Sequence, residues 1–110
     1  MEKNKNKYGR IKKDGTIDFY SVIDGGSYTL DENGLLHSYD DNACYMSTGV
    51  GKISYMEWCR HGITHRIEGP SVIWYNYDEV HEEGYYINGI LLSKGEWEIE
   101  VNRIKMIEEI

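Results

Sequence analysis

Short stretches in which apolar and polar positions alternate, each closed by a glycine-bearing turn, run along most of the chain. Over 16–23, Ile17, Phe19 and Ser21 alternate with Asp18, Tyr20 and Val22, the period of a half-buried strand. Asn33-Gly34 and Asn88-Gly89 are signals for two-residue turns in which both central residues take positive φ. His61-Gly62 occupies the same place in a middle segment, and Asp14-Gly15 adds a turn near the N-terminus. The pattern predicts strands at 8–13, 16–23, 27–30, 35–39, 43–47, 53–60, 63–66, 71–77, 83–87 and 90–92. Loops are expected at 24–26, 40–42, 48–52, 67–70 and 78–82.

Three of these segments align as a degenerate repeat of about 27 residues. They are 28–37, 58–70 and 85–92, with shared glycines at 34, 62 and 89 and an aromatic residue before each. A histidine follows the first two glycines, at 37 and 65.

The end of the chain changes period. Ser93-Lys94-Gly95-Glu96 reads as a capping box, and Trp97, Val101 and Ile104 follow at helical spacing. A helix over about 94–108 is expected to lay those residues on the sheet. The expected fold class is therefore mainly β (α+β): an antiparallel β-meander of repeated hairpins with one C-terminal helix, built as a single domain over 1–110.

Composition narrows the functional classes. Apolar residues at 40% and charged residues at 28% exclude a disordered chain. No apolar run reaches the ~20 residues of a membrane span, and the lysine-rich start lacks the apolar stretch of a signal peptide. Two cysteines, Cys44 and Cys59, are too few for a disulfide framework, so a cytoplasmic location with reduced thiols is expected. The net charge of -7 is unevenly spread: residues 1–13 carry +5 and the rest -12. The flexible basic segment is expected over 1–7. A body this acidic repels nucleic acid directly and suits a basic surface on another protein, or serves solubility alone.

The middle and third segments meet a known pattern. Trp58-x-x-x-Gly62-x-x-His65-Arg66-x-x-Gly69-Pro70-Ser71-x-Ile73, followed by Glu83-Gly84-Tyr85-Tyr86-Ile87-Asn88-Gly89, resembles the MORN-variant repeats, and more narrowly the His-Arg-x-x-Gly-Pro repeats of bacteriophage proteins. The closing Leu91-Leu92-Ser93-Lys94-Gly95-Glu96-Trp97 is similar to the helical cap of those proteins. The likeness covers 54–98, fades over 28–44 and does not include 1–24. The first copy has Asp40-Asp41-Asn42 where Gly-Pro would stand, and the third has no His-Arg. What the resemblance implies is a hairpin scaffold, a binding role without carried-over catalytic residues, and small acidic inhibitors of host machinery.

Candidate chemistry is sparse. His65-Arg66 reads either as a ligand contact, with Arg66 taking a phosphate or carboxylate bidentately, or as a repeated turn position in which His37 and His65 hydrogen-bond the next hairpin. Cys59, His61 and His65 lack a clear fourth partner for zinc, so no metal or other cofactor is expected. Nothing activates either cysteine, and 49–52 lacks the spacing of a phosphate-cradling loop, so no enzymatic turnover is expected. Tyr75 and Tyr77 on one strand and Tyr85 and Tyr86 on the next, beside Asp78, Glu79, Glu82 and Glu83, form the strongest binding signal: amphipathic rings rimmed by acids suit a protein interface, unless both sheet faces are covered and the rings are core. The expected function is a non-enzymatic inhibitor that occludes a host defence or nucleic-acid-handling protein. The alternatives are a sponge for a nucleotide signal, using His65, Arg66 and stacking aromatics, and a structural adaptor module. No membrane partner is expected, and self-association stays open.

Overall fold

A computed structural model of the chain describes residues 7–21, 26–49 and 52–108. The lysine-rich start at 1–6, the loop residues Asp24 and Gly25 and the hairpin end at 50–51 lie outside the described residues. In chain order the elements are β1 (Lys7–Ile11), β2 (Ile17–Ser21), β3 (Gly26–Tyr28), β4 (Tyr45–Gly49), β5 (Lys52–Glu57), β6 (Cys59–Arg60), β7 (Ile63–Thr64), β8 (Val72–Asn76), β9 (Glu79–Ile87), β10 (Ile90–Leu92) and α1 (Lys94–Glu108). Six strands make one antiparallel sheet in the order β3-β4-β5-β8-β9-β10, while β1-β2 and β6-β7 are separate hairpins. The mainly β (α+β) architecture with a single C-terminal helix is the one the alternation and the capping box indicate.

Several boundaries differ for identifiable reasons. His61-Gly62 and Asn88-Gly89 have both residues at positive φ, but in Asp14-Gly15 and Asn33-Gly34 only the glycine does. There the Asp14 carboxylate accepts the Thr16 N–H, and Asp31 accepts the N–H groups of Asn33 and Leu35. The side chain thereby satisfies a wider loop, a type I turn followed by a left-handed glycine. The expected strand at 35–39 reduces to isolated bridges at Leu35 and Leu36. The expected strand at 53–60 breaks at Trp58, whose indole N–H donates to the Asp41 carbonyl at 3.0 Å. The expected loop at 78–82 is strand from Glu79 on: β8 and β9 pair through Asn76 and Glu79, leaving only Tyr77 and Asp78 to turn.

The repeat is visible in its hydrogen bonds. Gly62 N–H donates to the Leu36 carbonyl at 2.7 Å, and Gly89 N–H donates to the Thr64 carbonyl at 2.8 Å. Ser38 N–H reaches the Cys59 carbonyl, and Arg66 N–H reaches that of Tyr86. Each bond recurs one copy later, so the copies stack with the turn of one copy held by the strand before it. β1 lies across this stack: its Gly9 N–H donates to the Gly34 carbonyl and its Ile11 N–H to the Gly62 carbonyl. Gly9 is required by that approach, since a Cβ there would stand 2.7 Å from the Leu35 side chain.

Leu36, Cys44, Tyr45 and Cys59 form the core cluster, with Tyr8, Tyr28, Leu30 and Tyr55 against it. The helix starts as expected: Glu96 N–H donates to Ser93 Oγ, and Ser93 N–H donates to the Glu96 carboxylate at 2.9 Å. Val101 is buried, and the Trp97 ring meets Tyr85 at 5.0 Å between centroids. Among the described residues, no helix is long and apolar enough to cross a membrane.

Candidate functional site

The exposed end of the β8–β9 hairpin gathers large apolar groups that the fold leaves uncovered. Tyr77 is 81% exposed, Val80 52% and Trp74 48%. Tyr77 also holds φ at 59°, the left-handed region. That region is unfavourable for a bulky side chain and is usually filled by Gly, Asn or Asp. The exposed Asp78 and Glu79 follow Tyr77 in the chain, Glu82 and Glu83, also exposed, lie further back along β9 opposite Trp74 and Ile73, and residues 72–87 contain no Lys or Arg. Lys52 on β5 partly offsets this charge, with Nζ 2.7 Å from the Asp78 carboxylate.

Register decides which faces these residues share. Trp74 pairs with Glu82 and Tyr75 with Val80, and the shift between the two pairs is a bulge. Paired residues share a face, so Trp74 and Glu82 lie on one side and Tyr75 and Val80 on the other. Trp74 ends a row of rings running through Tyr55 at 4.3 Å, then Tyr45 and Tyr8. Tyr77 belongs to neither face because it is in the turn.

The four tyrosines named from sequence are therefore not one cluster. Tyr75 is half-buried with its hydroxyl 3.8 Å from Met56 Sδ. Tyr85 lies under Trp97 of α1, while Tyr86 shares a shallow cleft of ≈ 250 Å³ with Trp74 and Leu91 on the opposite face. Tyr77 alone stands fully in solvent with the acids. Trp74 and Val80 complete the tip; alternation along β8 sets Trp74 on the face away from Tyr75, and nothing in the sequence marks Val80.

His65 and Arg66 lie elsewhere, in a cleft of ≈ 370 Å³ that His37 and Arg60 also line. Arg66 is fully engaged: Nε and Nη2 each donate to the Asp41 carboxylate at 3.0 Å, Nη1 donates to the Pro70 carbonyl, and the guanidinium sits 3.8 Å from the Trp58 ring centroid. His65 Nδ1 accepts the Asn88 N–H and His37 Nδ1 accepts the His61 N–H, both at 2.9 Å. His61 in turn bonds the buried Asp31 carboxylate at 2.6 Å. Among the described residues no three His, Cys, Asp or Glu side chains group as metal ligands.

These histidine bonds give the protein a pH dependence. Both imidazoles are held below their ordinary value by burial first, then by neighbouring positive charge: His61 and Arg60 for His37, Arg60 for His65. Protonating Nδ1 removes the acceptor. The unfolded chain takes up these protons near pH ~6.5 and the folded chain only below that. Stability from the two bonds is thus complete above ~6.5 and declines as pH falls toward the folded-state values. Urea midpoints measured from pH 7.5 down to 5.5 should fall, and the slope should flatten in the His37→Gln/His65→Gln double variant. An equal slope in both proteins would remove the histidines from the account.

A buried ionic network, which no spacing in the sequence marks, fixes β1 to the sheet. Glu57 is 1% exposed, and its carboxylate receives both terminal nitrogens of Arg10 at 2.6 Å, the Tyr55 hydroxyl at 2.9 Å, the Thr64 hydroxyl at 3.1 Å and the Cys59 thiol at 3.2 Å. The Cys44 contact, burial and the Glu57 charge all push the Cys59 thiol far up, which opposes the thiolate form.

No family model, no curated protein and no solved structure matches this chain.

Proposed function

We propose that this chain is a non-enzymatic binding protein whose β8–β9 tip, Trp74 to Glu83, seats on a basic surface of another protein and occludes it. The observation that carries the proposal is Tyr77, the most exposed of the large apolar residues among those described, held in a backbone conformation that its side chain disfavours. Strained, solvent-facing aromatic residues at a tip have no role in folding, and an aromatic anchor inside a charged rim is the usual make-up of an interface centre. Asp78, Glu79, Glu82 and Glu83 would stand where the phosphates of a nucleic acid stand on the target. The resemblance to phage repeat proteins directs the search to host factors that handle nucleic acid or act in defence. A nucleotide sponge built on Arg66 has less behind it, because that guanidinium already binds Asp41, Pro70 and Trp58.

The test is capture from bacterial lysate, analysed by native mass spectrometry, with the wild type and a variant carrying Asp78→Lys, Glu79→Lys, Glu82→Lys and Glu83→Lys. The wild type should retain a basic protein at low salt and release it at high salt. The variant should associate with it roughly tenfold or more slowly, because charges at a rim mainly steer encounter. Equal capture by both proteins, or salt-independent binding, would defeat the proposal.

A further inference from the structure

We propose that the cleft walled by His37, Arg60 and His65 is a binding notch for a phosphate-type oxyanion. It is separate from the β8–β9 tip, and neither reading needs the other.

The proposal starts from the tautomers. His37 Nδ1 accepts the His61 N–H and His65 Nδ1 accepts the Asn88 N–H, so neither Nδ1 carries a proton. A neutral imidazole has one proton, and here it must sit on Nε2. The stacking of the repeat therefore fixes two outward N–H donors, one from each copy, and both rings line the same cleft. Among the described residues neither Nε2 has a hydrogen-bond partner.

Arg60 supplies the charge. It is exposed, lines the cleft with both imidazoles, and makes no ion pair among the described residues. Its charge reaches both rings, being among the causes that hold each imidazole below its ordinary value. Arg66 in the same cleft is the contrasting case, with its donors committed to Asp41 and Pro70. Two fixed neutral donors and one guanidinium without an ion pair among the described residues line one space of ≈ 370 Å³, ample for a phosphate group. The protonated Nε2 atoms also exclude the alternative of a metal, which needs their lone pairs.

A phosphate offers acceptor oxygens in three or more directions, whereas a carboxylate offers two in one plane, so donors from two stacked copies and an arginine suit the former. Glu68 stands at the rim, 3.8 Å from Lys105, and opposes a highly charged ligand.

The experiment is a long-range ¹H–¹⁵N correlation of the histidine side chains of the full chain near pH 7.5, titrated with inorganic phosphate. Before addition, His37 and His65 should show the Nε2–H tautomer. Phosphate should then shift their Nε2 resonances and leave that of His81, which is exposed and outside the cleft, in place. Sodium acetate at the same ionic strength should shift them less. Arg60→Gln should weaken phosphate binding about tenfold or more, the loss expected for one charge-assisted hydrogen bond. Glu68→Gln should tighten it. The Nδ1–H tautomer, equal shifts with acetate, equal shifts at His81, or binding that survives Arg60→Gln would each overturn the assignment. Arg60 is exposed and makes no ion pair among the described residues, so its loss should leave the fold intact, and unchanged His37 and His65 resonances in the ligand-free variant verify this.

Discussion

Replacing Arg10 by Met should cost this protein about 3–5 kcal/mol of folding stability, the loss expected when one partner of a buried ion pair is removed. Glu57 is left in place by that change. Its side chain is 2% exposed, against 27% for Arg10, so the carboxylate cannot turn to water once the guanidinium is gone. The hydroxyls of Tyr55 and Thr64 and the Cys59 thiol remain, but none of them carries charge. The effect should depend on pH in a defined direction. In the wild type, burial works to raise the Glu57 carboxyl and the Arg10 bonds and charge overcome it, holding it below the ordinary value. Its contribution is therefore present above the unfolded value of ~4.3 and is lost as pH falls through the folded value. In Arg10→Met, burial is opposed only by the bonds from Tyr55, Thr64 and Cys59, and without the Arg10 charge it should raise the carboxyl above the ordinary value. The penalty should then be greatest at neutral pH and shrink as pH drops toward 4, where Glu57 protonates in the variant. Urea unfolding at pH 7 and near pH 4.5 reads both quantities. A loss below about 1 kcal/mol at neutral pH, a typical surface-pair value, would mean that the pair is solvated and that β1 is held by its backbone bonds alone. The double change Arg10→Met/Glu57→Leu should recover much of the loss, since a buried pair exchanged for apolar groups is often near neutral.

This pair also marks the limit of what the sequence reveals. Arg10 and Glu57 are 47 residues apart, and no periodicity links them; Arg10 reads as one more charge in a basic segment. Local rules fared better. The helix and its Ser93–Glu96 box were legible because capping is decided within one turn. The left-handed pairs at 61–62 and 88–89 were legible for the same reason. At 14–15 and 33–34 the glycine was read correctly, but Asp14 and Asp31 hydrogen-bond the turn amides and select a wider loop. The stretch 78–82 read as a loop because acids and a histidine dominate it, whereas a strand pair can carry exposed charges on both faces when its far end projects from the body. Nothing in the residue type of Tyr77 signals positive φ, so the sequence alone places it in the strand.

The histidines show how much a repeat can disclose. Their recurrence at 37 and 65 indicated a bond to the next hairpin, and each accepts the turn N–H of the following copy. The same logic explains why the third copy has no His-Arg. Leu92 and Ser93 occupy those places, and α1 rather than another turn follows them. Ser93 N–H, which corresponds to the N–H groups of Ser38 and Arg66 that reach the next copy, is instead taken by the Glu96 carboxylate. The capping box thus starts the helix and ends the stack with one hydrogen bond. The donor direction of the two Nε2 atoms, by contrast, follows only from seeing which nitrogen accepts.

Changing Tyr77 to Asn should separate folding from binding more sharply than any other single substitution at the tip. With 81% of the residue exposed, its side chain contributes little packing, while its left-handed backbone costs about 1–2 kcal/mol for an ordinary L-residue. Asn tolerates that region well and, unlike Gly, adds little freedom to the unfolded chain. Tyr77→Asn should therefore raise stability by about 1 kcal/mol, visible as a higher urea midpoint at unchanged slope. If Tyr77 anchors the interface, the same substitution should weaken capture of the partner by about 2 kcal/mol, roughly thirtyfold, mainly through faster dissociation. The charge-reversed tip should behave in the opposite way, with slower association and little change in the off-rate. A variant that is less stable than the wild type would show that the turn is not strained. A variant that is more stable and binds equally well would show that the exposed ring is not the anchor, and the acidic rim would have to act without it. Gain in one property with loss in the other is the signature of a side chain kept for contact at the expense of the fold.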